Sequence, residues 1–228
     1  MSSLTLVIGN KNYSSWSLRP WLILKIAGIP FEEILIPLYQ RDSKVNILVH
    51  SPAGRVPVLK SDETAIWDSL AIAEYLAGSF PDAGLWPSNV EARARARSVS
   101  AEMHSGFAAL RDHMPMDLRN QSPGDGMGPG VADDIGRIID IWTDCRHQFG
   151  GGGDFLFGRF SIADAMFAPV VGRFRTYGVD LPDVCQAYSD TIWSLPEMAE
   201  WVAAAHDEPY GIDWSEPDSP VGSELPVT

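Results

Sequence analysis

Three hydroxyls surround one indole in Ser14-Ser15-Trp16-Ser17. A serine hydroxyl is a rotatable donor and acceptor, suited to hold an anion without itself reacting. An apolar run, Leu4 to Ile8, enters this stretch through Gly9 and Asn10. It leaves with Leu18, Leu22, Lys25 and Ile26 at helical spacing, so the segment reads as strand, turn and helix. If the helix starts near Ser17, Pro20 falls in its first turn, where a missing N–H removes no intrahelical bond. Ser14 and Ser15 then stand at a helix N-terminus, where unpaired N–H groups and the positive end of the dipole favour negative charge. The competing reading is that one serine only caps the helix.

Two further stretches carry chemistry. In Gly54-Arg55-Val56-Pro57-Val58, a proline opening a strand after a glycine turn can sit on a cis bond. Such a bond turns the Val56 backbone outward, ready to pair with an extended peptide; a trans proline at a strand edge fits the same residues. In Trp67-Asp68-Ser69, at the start of another helix, Asp68 offers a carboxylate for an ammonium and the helix N-terminus offers N–H groups for a carboxylate. An amino-acid head group carries both charges.

The elements that must position these residues follow in order. Phe31 to Leu38 reads as a strand, Asp42 to Val49 as a short helix, and Val56–Leu59 and Thr64–Trp67 as a hairpin around Lys60-Ser61-Asp62-Glu63. A helix from Ser69 completes β-α-β-α-β-β-α, the order of a thioredoxin-like α/β domain, assigned to residues 1–78. Residues 79–89, with Pro81, Gly84 and Pro87, read as a linker. An all-α domain is expected over 90–207. Its first long helix runs from Glu91 through Met103, Phe107 and Leu110, its second from Val131 to Phe149 before four glycines, and its third opens on Ser161 with Asp164 in a capping box. Two more helices run over 184–193 and 197–205, and residues 208–228 form an irregular, proline-rich tail.

With 228 residues and 45% hydrophobic content the chain can bury a sizeable core. A net charge of −13 and a pI near 4.6 disfavour nucleic acid and anionic membranes as partners. No apolar run approaches the roughly 20 residues of a membrane helix, and a cytoplasmic location is expected. Cys145 and Cys185 lie outside any CxxC or Cys/His cluster, so no metal site is expected and both read as core residues.

Taken together, Ser14-Ser15-Trp16-Ser17, Gly54-Arg55-Val56-Pro57, Asp68-Ser69-Leu70-Ala71-Ile72-Ala73-Glu74-Tyr75-Leu76 and Phe160-Ser161-Ile162-Ala163-Asp164 resemble the glutathione transferase superfamily over nearly the whole chain. In its serine-type branches the active-site serine lies fourteen residues before the glycine ending the first helix, which from Gly28 gives Ser14. The Ser-Ser-x-Ser pattern is most similar to the zeta class, whose members isomerise maleylacetoacetate. That class has cysteine at the position of Trp16, and its substrate arginine falls at Thr176, between Arg173 and Arg175.

The resemblance implies glutathione as co-substrate, no metal, a homodimer, and a thiol activated for attack on a small electrophile. Ser14, with Ser15 next in line, would donate a hydrogen bond to the sulfur. Val56 and Pro57 would hold the cysteinyl backbone, Asp68 and Ser69 the γ-glutamyl head, and Arg55 or Lys44 the glycyl carboxylate; His50 is a weaker candidate. The electrophile would meet Trp16, Met103, His104, Phe107 and Arg111, with His104 and Arg111 on one helical face. Met103 and Phe107 also suit the core. A glutathione-dependent isomerase or peroxidase shares this thiolate chemistry, and a non-catalytic binding protein shares the fold.

Overall fold

The computed structural model describes residues 3–211. Its first strand, β1 (Leu4–Ile8), buries Leu4, Leu6, Val7 and Ile8. Then come α1 (Ser15–Ile26), β2 (Glu32–Leu35), α2 (Ser43–Leu48), β3 (Val58–Ser61), β4 (Thr64–Trp67) and α3 (Ser69–Ser79). The sheet order is β2-β1-β3-β4, with β2 parallel to β1 and the other two pairings antiparallel. Parallel β1 and β2 need a crossover between them, and α1 supplies it. This is the expected thioredoxin-like domain. β2 stops four residues into the expected 31–38 strand, with Pro37 two positions on; a proline has no N–H to give to a ladder.

After a short 3₁₀ turn (Pro81–Ala83), the remainder is helical: α4 (Val90–Ser105), α5 (Ala108–His113), α6 (Val131–Phe149), α7 (Ile162–Tyr177), α8 (Asp183–Trp193) and α9 (Pro196–Asp207). One hydrophobic core runs from Leu4 in β1 to Ala205 in α9, so the two halves share an interior. α1 is the hinge of that packing, touching α3, α7 and α9. Every residue from Ser17 to Leu24 is buried, Arg19 and Pro20 included. The expected single apolar face is therefore replaced by a helix enclosed on all sides.

Two expectations about helices change. α1 begins at Ser15, so Pro20 lies past the first turn, inside the helix. The long helix expected through Phe107 and Leu110 breaks after Ser105. Gly106 is extended, Phe107 is left-handed at φ 62, and α5 starts anew. A side chain at Gly106 would place its Cβ 2.9 Å from the Glu102 carbonyl oxygen, which only glycine avoids. Arg111 then bonds the oxygens freed by the break, donating from Nε to Gly106 O at 3.0 Å and from Nη2 to Met103 O.

The α7 capping box forms as expected. Asp164, fully buried, takes the Ser161 N–H at 2.8 Å and the Ser161 hydroxyl at 2.9 Å on Oδ2, and the Leu156 N–H at 3.1 Å on Oδ1. Trp142 and Trp201 are buried core anchors, and Trp193 packs against the core partly buried. Beyond α9, Glu208 accepts the Lys11 N–H at 2.6 Å and the Asn12 N–H at 3.4 Å, while Arg119 holds the carbonyls of Glu208 and Tyr210. The start of the expected tail thus straps the β1–α1 loop; residues 212–228 lie outside the described residues. Among the described residues, no helix is long and apolar enough to cross a membrane.

Candidate functional site

Ser14 is the N-cap of α1. Its hydroxyl lies 2.7 Å from Ser17 Oγ and accepts the Ser17 N–H at 3.4 Å, and Ser17 Oγ in turn accepts the Gly9 N–H at 3.1 Å. These bonds turn Ser14 inward, into the junction of strand and helix. Ser15, the first residue of α1, faces the helical domain, and its Oγ accepts from Arg173 Nη2 of α7 at 3.2 Å. Since Arg173 is a donor only, the Ser15 proton is left to point elsewhere. The N–H groups of Ser15 and Ser17 are already bonded, to Tyr13 O and Ser14 Oγ, so fewer amides at this helix start are open than the turn chemistry suggested.

The Val56–Pro57 bond is cis, and Val56 precedes β3. Asp68 caps α3 from a left-handed backbone at φ 76, its Oδ1 accepting the N–H of Leu70 at 2.8 Å and of Ala71 at 3.3 Å. Asp68 Oδ2 meets His104 Nε2 of α4 at 3.1 Å. Burial pushes the Asp68 carboxyl up, but the His104 bond and charge, with the two amides, outweigh it and hold the pKa below the ordinary value. Ser69 is buried with no hydrogen-bond partner on Oγ, an orphaned hydroxyl at the head of a helix. Arg55 and Lys44 are exposed; His50 is half-buried with Nδ1 unpartnered.

Around the indole of Trp16 the two halves meet. The His104 ring stands edge-on at 5.1 Å between centroids, and the Arg111 guanidinium lies 4.8 Å from the Trp16 ring. His104 and Arg111 therefore do converge, but from two helices rather than one helical face. Met103 and Phe107 join the hydrophobic core. At the zeta-type arginine position, Thr176 bonds Asp117 O at 2.9 Å and Gly172 O at 3.1 Å, and Arg175 pairs with Asp190 at 2.6 Å. Arg173, three residues earlier and so on the same face of α7 as Thr176, is the arginine that reaches Ser15.

Arg19 and Arg173 escaped sequence reasoning as site residues. Arg19 sits in a run otherwise apolar from Leu18 to Leu24, which was the available signal. Burial, followed by the charge of Arg111, pushes the Arg173 pKa down to about 9; burial pushes that of Arg111 down to about 10. Two electropositive, poorly solvated groups thus flank Ser15 and Trp16.

The profile of the glutathione S-transferase N-terminal domain matches residues 13–78, and that of the C-terminal domain matches residues 91–204. Maleylacetoacetate isomerase from Rattus norvegicus is 35% identical over 173 residues, 73% of this chain and 76% of that protein. A probable maleylacetoacetate isomerase from Caenorhabditis elegans is 34% identical over 107 residues, 47% of this chain and 49% of its own length. Glutathione S-transferase L2 from Arabidopsis thaliana is 25% identical, the match spanning 81% of this chain but 57% of that protein. Among solved structures, a glutathione transferase homolog from Burkholderia gl BGR1, with bound glutathione, superposes with a TM-score of 0.68 at 24% identity, covering 90% of this chain and all (100%) of that one. At that identity the likeness establishes the fold. Both halves being matched in order, the chain belongs to the glutathione S-transferase family.

Proposed function

We propose that this protein binds glutathione and holds its sulfur as thiolate for attack on a small electrophile, with Ser15 as the donor to sulfur. The observation that carries this reading is the Ser15–Arg173 bond: the guanidinium occupies the Ser15 oxygen and leaves the hydroxyl proton for the sulfur. A free thiol with pKa near ~8.5 is only a few per cent ionised at pH ~7. Lowering it by about two units, roughly 2.7 kcal/mol, makes thiolate the major form. A hydroxyl polarised by a cation, with Arg173 and Arg111 close by, supplies that kind of stabilisation.

The other binding roles follow the same geometry. Val56, beside the cis bond, presents its backbone to the cysteinyl unit, and the unpartnered Ser69 hydroxyl takes the γ-glutamyl carboxylate while Asp68 faces its ammonium. Arg55 or Lys44 serves the glycyl carboxylate from the exposed side. Ser14 supports the site by fixing Ser17 and the turn at Gly9. A homodimer is part of the proposal, to be read by light scattering.

A second reading is favoured by the rat relative: the same thiolate serving the isomerisation of maleylacetoacetate or a compound like it. The test of the shared step is calorimetry with glutathione, followed by ultraviolet titration of the bound thiol in wild type and Ser15→Ala. Heat of binding and a bound thiol pKa that rises in the variant support the proposal. Absence of heat removes it. Comparing transfer to a chloronitroaromatic with turnover of maleylacetoacetate then separates the two readings.

A further inference from the structure

Asn12 is fully buried in the turn between β1 and α1, three residues before Ser15. Both ends of its amide are held by one stretch, the connection that leaves α5. Asn12 Nδ2 donates to Asp117 Oδ1 at 2.7 Å, and Asn12 Oδ1 accepts the Arg119 N–H at 2.9 Å. The partners fix which way the amide points, since a carboxylate only accepts and a backbone N–H only donates.

The same connection grips the buried face of α7. Arg173 Nη1 donates to Met114 O, Thr176 Oγ1 to Asp117 O at 2.9 Å, and Tyr177 OH to Pro115 O at 3.1 Å. Gly172 lets the two come this close, for a Cβ there would lie 2.8 Å from Leu118 Cδ2. Thr176 Oγ1 is also 3.1 Å from Gly172 O, the bond back to the preceding turn that any helical threonine can make. Its hydroxyl has a single proton, and the shorter distance is to Asp117 O.

These bonds close a ring. From Ser15 it passes through Arg173 and one turn of α7 to Thr176, across to Asp117, on to Asn12, and back along the chain to Ser15. The Ser15–Arg173 link, at 3.2 Å, stands at the long limit of an N–H···O bond, so a slide of a few tenths of an ångström opens it. Arg173 is not free to follow such a slide, because its other terminal nitrogen is tied to Met114 O. Apolar packing between α1 and α7 is non-directional, whereas the bonds of the ring have fixed lengths and directions.

We propose that Asn12 and Thr176, joined through Asp117, are positioning residues for Ser15: they set the offset of α1 against α7 at which the Ser15 hydroxyl meets Arg173. The inference rests on the proposed function for what Ser15 does, and on this geometry for how Ser15 is held. The competing account is that the ring only stabilises the junction of the two domains.

The first test needs no glutathione. Denaturant unfolding of the full chain is compared for wild type, Ser15→Ala, Thr176→Val and the double variant. Ser15→Ala is expected to raise the unfolding constant about tenfold in wild type, and by less than about twofold once Thr176→Val is present. The second test follows the bound glutathione thiol by ultraviolet titration. Thr176→Val, close to threonine in shape, should raise that thiol pKa by about half a unit or more and lower kcat, with glutathione Kd within about twofold of wild type. Thr176→Ser keeps the hydroxyl and should restore both. Asn12→Asp retains the Arg119 bond but sets a carboxylate against Asp117, and should act in the same direction as Thr176→Val; should it not fold, the two Thr176 variants decide. The inference is overturned if Ser15→Ala and Thr176→Val are additive, or if Thr176→Ser behaves like Thr176→Val. It is overturned as well if Thr176→Val leaves the thiol pKa unchanged while Ser15→Ala moves it, which makes the ring structural only. Failure of the glutathione reading is distinct: wild type then gives no heat with glutathione, while the non-additivity persists and the positioning of Ser15 stands.

Discussion

Arg173 Nη2 donates to Ser15 Oγ at 3.2 Å, joining α7 of the helical domain to the first residue of α1. The bond makes Ser15 and its neighbour Ser14 different in kind. Ser15→Ala is expected to raise the pKa of bound glutathione thiol by about one unit or more and to lower kcat/KM by about tenfold or more. Ser14→Ala removes a helix cap instead, and should cost about 1 kcal/mol of stability. Paired denaturant curves and thiol titrations of the two variants check both, and the assignment fails if the effects are exchanged.

The Asp68–His104 pair ties α3 to α4, and Asp68 is held below the ordinary carboxyl value. A depressed carboxylate stabilises the fold above its unfolded pKa of about 3.9, and that contribution is lost as pH falls through the still lower folded value. Asp68→Asn should therefore lose most of its stability difference from wild type in acid below pH ~4. It should also raise KM for glutathione several-fold with a smaller change in kcat. Urea titrations at pH ~3 and ~7 give the first answer, and steady-state kinetics the second.

Glu208 takes the amides of Lys11 and Asn12, on the loop that leads to the serines. Glu208→Ala leaves both without this acceptor, at an expected cost of about 1–3 kcal/mol. Hydrogen exchange should then quicken at Lys11 and Asn12 before it does in β1. Unchanged exchange there would show that the strap does not hold the loop.

Asp164 has its pKa pushed up to about 6, chiefly by burial, against bonds from Leu156 and Ser161 that favour the charged form. The folded state therefore binds this proton more tightly than the unfolded chain, where the pKa is about 3.9. Its contribution is full below pH ~4 and declines as pH rises to ~6, by about 3 kcal/mol at most. Asp164→Asn should flatten that slope in denaturant titrations across this range. Asp164→Ala, which strands the N–H groups of Leu156 and Ser161, should destabilise at every pH by about 2–4 kcal/mol.

Both thiols are buried, and burial pushes the Cys145 pKa up to about 12 and raises that of Cys185. Neither should be alkylated by iodoacetamide in the folded protein at pH ~8, and both should react on unfolding. Mass spectrometry before and after denaturant gives the count. Rapid native labelling at Cys145 would contradict the buried assignment.

Local signals in this chain were strong where the cause is local. The strand, turn and helix at Leu4–Ile26 and the cap at Ser161 follow from residue type and near neighbours, whereas the residues around Pro57 suit cis and trans alike, and the cap of α3 falls on Asp68, which the sequence offers only as an ammonium partner. Helical periodicity extended too far at Gly106, because the break is marked by a glycine packed where a side chain would meet the Glu102 carbonyl, and not by any apolar position. Which serine faces outward was not legible either, since Ser14 and Ser15 differ only through Ser17 on one side and Arg173, 158 positions away, on the other. Arg19 and Arg173 escaped for the same reason, while Arg111 did not. Charge is usually carried on a surface, and only the docking of α7 against α1 encloses Arg19 and Arg173, where their electrostatic effect is strongest. The sequence by itself determined the elements and the hydroxyls, through short-range sterics and hydrogen bonding. The tertiary structure decided the electrostatics of the site, because charges far apart in the chain interact strongly only once packing has removed the water between them.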